Sequence, residues 1–231
     1  MSAFADEMTA GLMPEGTICL TFDDGPGVTS GPGPGPRTAA LAEYLASQRI
    51  VATFFMCGSQ VTRHPDLPQT VLGLGHRIGN HTFYHSHLPS LETAEIHEEV
   101  RLSFDALVAA GAPTPMPFRP PYGAWDARCA AAVNADAELA AGHDGVYGWD
   151  IDGADWQSWE LGVPDARGVA DAYLDLALRN GAGVVLMHDS TAHEDEASQL
   201  MRAGNRTLEA ITRLVPMLER EGFVFAPLPP A

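Results

Sequence analysis

Short apolar runs alternate with amphipathic stretches along this 231-residue chain, and that alternation is the strongest constraint on its fold. Strand-length runs separated by helix-length segments fit an α/β organisation of strands joined by helices. Thr17 to Phe22 reads as a first strand and Ile50 to Met56 as a second. Between them, Thr38 to Gln48 carries Leu41, Tyr44 and Leu45 at helical spacing. Further strands are expected over residues 76–79, 117–118, 145–149, 183–187 and 223–225. Helices are expected over 91–110, 125–133, 169–178 and 208–219, with Pro216 kinking or ending the last.

This length fits one domain spanning residues 1–231, and 45% hydrophobic residues suffice for a full core without covalent staples. Cys19, Cys57 and Cys129 are odd in number and scattered, so neither a disulfide framework nor a thiolate zinc site is indicated. The first 13 residues lack the basic start and apolar run of a signal peptide. A cytoplasmic location is the simplest expectation. No apolar run reaches the roughly 18–20 residues that a membrane span needs, so no membrane partner is expected.

The 30 acidic residues outnumber the 13 basic ones, for a formal net charge of -17. Such a surface repels phosphate backbones and argues against nucleic acid as a partner. Its plainest consequence is solubility, and a weaker one is a preference for neutral or cationic ligands such as a partly deacetylated amino sugar.

Five short segments carry chemistry. Thr21-Phe22-Asp23-Asp24-Gly25-Pro26 places two carboxylates at the end of an apolar strand, where α/β folds put their ligand sites. Carboxylates so close repel one another unless a cation or an arginine intervenes. The same composition equally suits an ordinary turn. Asn80-His81-Thr82-Phe83-Tyr84-His85 spaces two histidines four apart, which brings them together if the segment turns helically. Neutral imidazole is a common metal ligand, and an Asp with two His leaves positions open for water and substrate. His87 reads as a surface or rim histidine.

Phe118-Arg119-Pro120-Pro121-Tyr122-Gly123 fixes a loop that presents an arginine and a backbone N–H. Trp149 to Trp156 interleaves carboxylates and tryptophans, which suits the hydroxyls and apolar faces of a sugar ring. Val184 to Asp189 is an apolar strand ending in His188. The low-complexity stretch Gly25 to Pro36 can be neither helix nor central strand. It is either a surface insertion or a rim that shapes the entrance to a site.

Taken in order, TFDDGP, HTFYH, RPPYG, DGADW and LMH resemble the five motifs of the NodB-homology polysaccharide deacetylases, carbohydrate esterase family four. The resemblance spans residues 21 to 188, and the strand and helix candidates continue to about residue 225. It implies a distorted (β/α) barrel of about seven strands, one divalent metal (Zn2+, with Co2+ as the substitute), and hydrolysis of an acetyl group from a carbohydrate. Carried onto this chain, Asp24, His81 and His85 would be metal ligands and Asp23 the general base, paired with Arg119. His188 would be the general acid, tuned by Asp152. The backbone N–H of Tyr122 would bind the oxyanion, while Trp156 and Leu186 would line the acetyl pocket.

On this reading the substrate is a saccharide containing N-acetylglucosamine, of chitin-oligosaccharide or peptidoglycan type. An acetylxylan-type O-deacetylase is the alternative, and a non-catalytic carbohydrate-binding protein is a remoter one. The loop after the first motif looks longer than is usual for the family and lies near the ligand residues. The absence of a recognisable signal peptide sets the chain apart from the secreted members.

Overall fold

A computed structural model describes residues 4–30, 33–161, 165–193 and 196–230. Eight strands alternate with ten helices among them. The strands are β1 (Thr17–Gly25), β2 (Thr53–Met56), β3 (Arg77–Asn80), β4 (Met116–Pro117), β5 (His143–Asp144), β6 (Ile151–Asp152), β7 (Gly183–His188) and β8 (Val224–Phe225). The helices are α1 (Thr38–Ser47), α2 (Gly58–Arg63), α3 (Asp66–Gly73), α4 (Thr93–Ala109), α5 (Ala127–Asn134), α6 (Ala137–Gly142), α7 (Asp155–Glu160), α8 (Ala166–Asn180), α9 (Glu196–Gly204) and α10 (Thr207–Arg220).

All strand pairings are parallel, in the order β3-β2-β1-β7-β6, with β8 beside the first residues of β1. β4 pairs with β5, and a bridge from Asn80 to Phe118 continues the path from β3 towards β4. Seven strands therefore follow one another as β5-β4-β3-β2-β1-β7-β6, a distorted α/β barrel as expected. The central strand β1 is buried at all nine positions, as a strand covered on both faces must be.

The seam between β5 and β6 is bridged by the N-terminal segment. Thr9 donates its N–H to the Val146 carbonyl at 2.7 Å and accepts the Gly148 N–H at 2.9 Å. The expected strand over residues 145–149 is absent. The carbonyls of Tyr147 and Gly148 turn instead to the side chain of Arg119, at 3.2 and 2.8 Å. That diversion leaves a single bridge, Thr9 to Tyr147, in place of a ladder.

Pro216 does not end its helix. α10 runs on to Arg220 because Leu214, Val215 and Leu218 are buried around it, and packing outweighs the one hydrogen bond proline removes. Cys19, Cys57 and Cys129 are all buried free thiols. No helix of the described residues is long and apolar enough to cross a membrane.

Within the Gly/Pro-rich stretch 25–36, residues 31–32 lie outside the described set. No described residue of the stretch lines the cleft. Val28 accepts a hydrogen bond from Arg202 of α9 at 2.8 Å, and the Gly35 N–H reaches the Asn205 carbonyl at 2.7 Å. The stretch braces α9, and α9 contributes Ser198 and Met201 to the cleft wall.

Candidate active site

The carboxyl ends of parallel strands converge on a cleft of about 440 Å3, the edge where (β/α) barrels carry their sites. β1 delivers Asp23 and Asp24. Its pairing with β2 slips between Phe22 and Gly25, and Asp24 adopts a left-handed backbone with φ 74°. The slip breaks the in-out alternation of a regular strand, and both carboxylates line the cleft.

His81 follows the last residue of β3. The segment to His85 is no helical turn: Thr82 and His85 have φ of 62° and 59°, and the two rings meet with centroids 5.0 Å apart. Two left-handed residues fold the chain back, where a helix would have needed a continuous run. His81 Nδ1 lies 2.8 Å from the Arg119 carbonyl oxygen. A carbonyl only accepts, so Nδ1 carries a proton and Nε2 is the ring nitrogen turned towards Asp24.

Asp24 Oδ1 is 3.1 Å from His85 Nε2 and 3.5 Å from His81 Nε2. It is buried and makes no hydrogen bond. Three ligand atoms from Asp24, His81 and His85 fall within 4.8 Å of one another. Burial would raise the Asp24 carboxyl, yet the facing histidines hold it well below the usual range. Burial lowers His85 and favours its neutral imidazole. An orphaned carboxylate oxygen beside two imidazoles in ligand-competent states fits a divalent cation.

Asp23 is tied to Arg119, whose Nη1 donates to Oδ1 at 2.8 Å. Arg119 is fully buried and also donates to Thr21 Oγ1, Tyr147 O and Gly148 O. Its guanidinium carbon lies 4.2 Å from the centroid of the Phe55 ring. Stacking and hydrogen bonds on every nitrogen fix the arginine behind the cleft, so Asp23 is held in one orientation.

His188, at the end of β7, meets a different partner from the one expected. Asp152 does not reach it: its carboxylate is exposed and caps the Ala154 N–H at 2.8 Å. Asp155 takes that place, with Oδ1 2.8 Å from His188 Nδ1 and Oδ2 accepting the His188 backbone N–H at 2.9 Å. Ala154 turns left-handed at φ 50°, and Asp155 then opens α7 pointing back towards β7. Both acids belong to one short motif, and the turn between them decides which one meets His188. Burial would lower His188, but Asp155, reinforced by Asp24 and Asp23, raises it to about 10.

The remaining expected residues line the cleft. Tyr122, with φ 59°, places its ring 4.6 Å from that of His85. Leu186 forms the floor beside His188, and Trp156 stands on the α7 wall. His87 is exposed at the rim, 6.0 Å from the Tyr122 ring. Further lining residues include Trp149, from the segment expected to meet a sugar ring, and His193, which had no assigned role and whose ring is 5.6 Å from that of His85. The loop carrying His193 has no local motif that would have marked it.

Residues 10–140 match the family model described as polysaccharide deacetylase. The chain is 34% identical over 216 residues to a chitooligosaccharide deacetylase of Bradyrhizobium sp. (strain ANU 289), covering 92% of this chain and 89% of that protein. It is 34% identical over 183 residues to chitin deacetylase 1 of Saccharomyces cerevisiae, covering 78% of this chain and 54% of that one. The structure is similar to a family 4 carbohydrate esterase from Streptomyces lividans in complex with acetate. That likeness has a TM-score of 0.70 and 29% identity, and covers 93% of each chain.

Proposed function

The chain belongs to the polysaccharide deacetylase family, and on that footing we propose that it hydrolyses N-acetyl groups of a short saccharide containing N-acetylglucosamine. One observation carries the reading. Two ion pairs of opposite sense, Arg119 with Asp23 and Asp155 with His188, flank the Asp24-His81-His85 group in one cleft. The similarity to a chitooligosaccharide deacetylase along nearly the whole chain supports the substrate class.

Asp24, His81 and His85 would hold a divalent metal, most simply zinc, with cobalt as a substitute. When bound, the metal supplies Lewis-acid polarisation of the acetyl carbonyl and lowers the pKa of water. The chain's own residues do the rest. Asp23, oriented by Arg119, accepts the proton of the attacking water as the new C–O bond forms. The Tyr122 N–H would donate to the developing oxyanion. His188 gives its proton to the nitrogen as the C–N bond breaks, leaving acetate and an amine.

An amide nitrogen leaves only once protonated, so the acid must keep its proton at neutral pH; a histidine raised to about 10 does so. Leu186 and Trp156 bound the space for the acetyl methyl, and Trp149 and Tyr122 offer ring faces to the sugar. Acetate release from chitin oligomers, peptidoglycan fragments, acetylxylan and monomeric N-acetylglucosamine tests the proposal. Release from chitin oligomers supports it. Release from acetylxylan alone would replace it with the ester reading.

A further inference from the structure

The loop from His81 to His85 has no helical hydrogen bonds of its own, and two of its residues hold left-handed backbones. Something outside the loop must fix it. Its carbonyls are taken by the start of α2: Gly58 N–H donates to Thr82 O at 3.0 Å and Ser59 N–H to Phe83 O at 3.1 Å. The Thr82 N–H donates to Asn80 Oδ1 at 2.8 Å, while the next two N–H groups turn onto one carboxylate. Glu99, buried on α4, accepts the Phe83 and Tyr84 N–H groups on Oε2 at 3.1 and 2.9 Å. Its Oε1 accepts the Ser86 hydroxyl at 2.8 Å.

We infer that Glu99 is a positioning residue for the metal centre, clamping Phe83 and Tyr84 between the two histidine ligands and Ser86 just after them so that His81 and His85 face Asp24. This rests on the proposal that Asp24, His81 and His85 bind a metal. Glu99 touches none of the three ligand side chains in the contacts above, and it acts through the backbone between them. Hydrogen bonds to a buried carboxylate are strong and directional. A loop held in left-handed conformations keeps them only while its surroundings enforce them. Without Glu99 the histidines would sample orientations away from Asp24, and the cost would fall on metal affinity.

The chemistry of the clamp separates this from a general loss of stability. A glutamine at position 99 can put its amide oxygen in the place of Oε2 and keep both backbone bonds. Its amide nitrogen can then donate to the Ser86 hydroxyl, which accepts as readily as it donates. A leucine fills the space and offers no acceptor.

The test is zinc affinity, measured by competition with a chromophoric chelator on metal-stripped full-length protein. Urea unfolding of the same samples is followed in parallel. Outer-shell partners of metal ligands are worth roughly 10–100-fold in affinity, so Glu99→Leu should bind zinc weaker by that factor while Glu99→Gln stays within about threefold. Asn134→Ala is the control. Asn134 anchors Phe4 far along the chain, through bonds of 3.1 and 2.9 Å, so its loss should lower stability and leave zinc affinity unchanged.

Should Glu99→Leu fail to fold, Glu99→Asp, one methylene too short to reach all three donors, takes its place with a loss of about tenfold expected. Wild-type affinity in the folded variant, or an equal loss in Asn134→Ala, would overturn the inference. Wild-type protein that binds no zinc would instead overturn the metal site itself.

Discussion

His188 Nδ1 lies 2.8 Å from Asp155 Oδ1, and the other oxygen of the same carboxylate accepts the backbone N–H of His188 at 2.9 Å. One carboxylate thus fixes both the ring and the strand end that carries it. The imidazolium is held by a partner that is fully buried, and that partner is Asp155 rather than Asp152.

The pH profile should follow from this pair. His188 acts only while protonated, so the alkaline limb of kcat should lie well above neutrality, towards the value of about 10 that its surroundings impose. A cation beside Asp24 offsets part of the raising field and brings the limb down. Asp155→Asn removes the main raising charge. The limb should then move to lower pH, and kcat at neutral pH should fall by ~10²-fold or more. Asp152→Asn should leave the limb where it is. Measured pH–rate curves for the two variants check the assignment.

Stability carries the same sign. The folded-state pKa of His188 is raised above its ordinary 6.5 to about 10. Its contribution is fully present below the unfolded value and is lost as pH rises through the window between them. Urea unfolding between pH 6 and 10 should show that decline in the wild type and a flatter profile in His188→Gln.

Arg119 should matter for stability as well as turnover. Replacing it with methionine leaves Asp23 buried without its partner, and breaking such a pair costs about 3–5 kcal/mol. Chemical denaturation of metal-free protein should register that loss. Arg119→Lys keeps the charge but cannot reproduce donors aimed at Thr21, Asp23, Tyr147 and Gly148, so its activity should fall as well.

Metal should bind the folded chain and stabilise it. At a free zinc concentration of 100 times Kd, the gain for a single site is about 2.7 kcal/mol. Thermal unfolding with and without zinc should show a rise in Tm that is absent in Asp24→Ala.

Much of the site was legible in the chain because its residues sit at strand ends within compact motifs. Asp23, Asp24, His81, His85, Arg119 and His188 all occupy one edge of the sheet, as the apolar runs preceding them required. What stayed hidden depends on backbone turns and distant partners. The choice between Asp152 and Asp155 turns on one left-handed alanine. The fold of residues 81–85 depends on Glu99, fourteen positions beyond His85, and helical spacing alone suggested a turn the chain does not make. The N-terminal segment at the β5–β6 seam and the bracing of α9 by Val28 and Gly35 are long-range hydrogen bonds that leave no local pattern.

The most direct test compares Asp23→Asn with Asp24→Asn, measuring zinc affinity and acetate release from a chitin oligomer on the same preparations. The two carboxylates are neighbours, and the structure gives them different partners. Asp23→Asn should keep zinc and lose turnover by ~10²–10⁴-fold, while Asp24→Asn should lose zinc affinity, with added zinc restoring at most part of its activity. Equal zinc affinity in the two variants, or full acetate release by Asp23→Asn, would contradict the account.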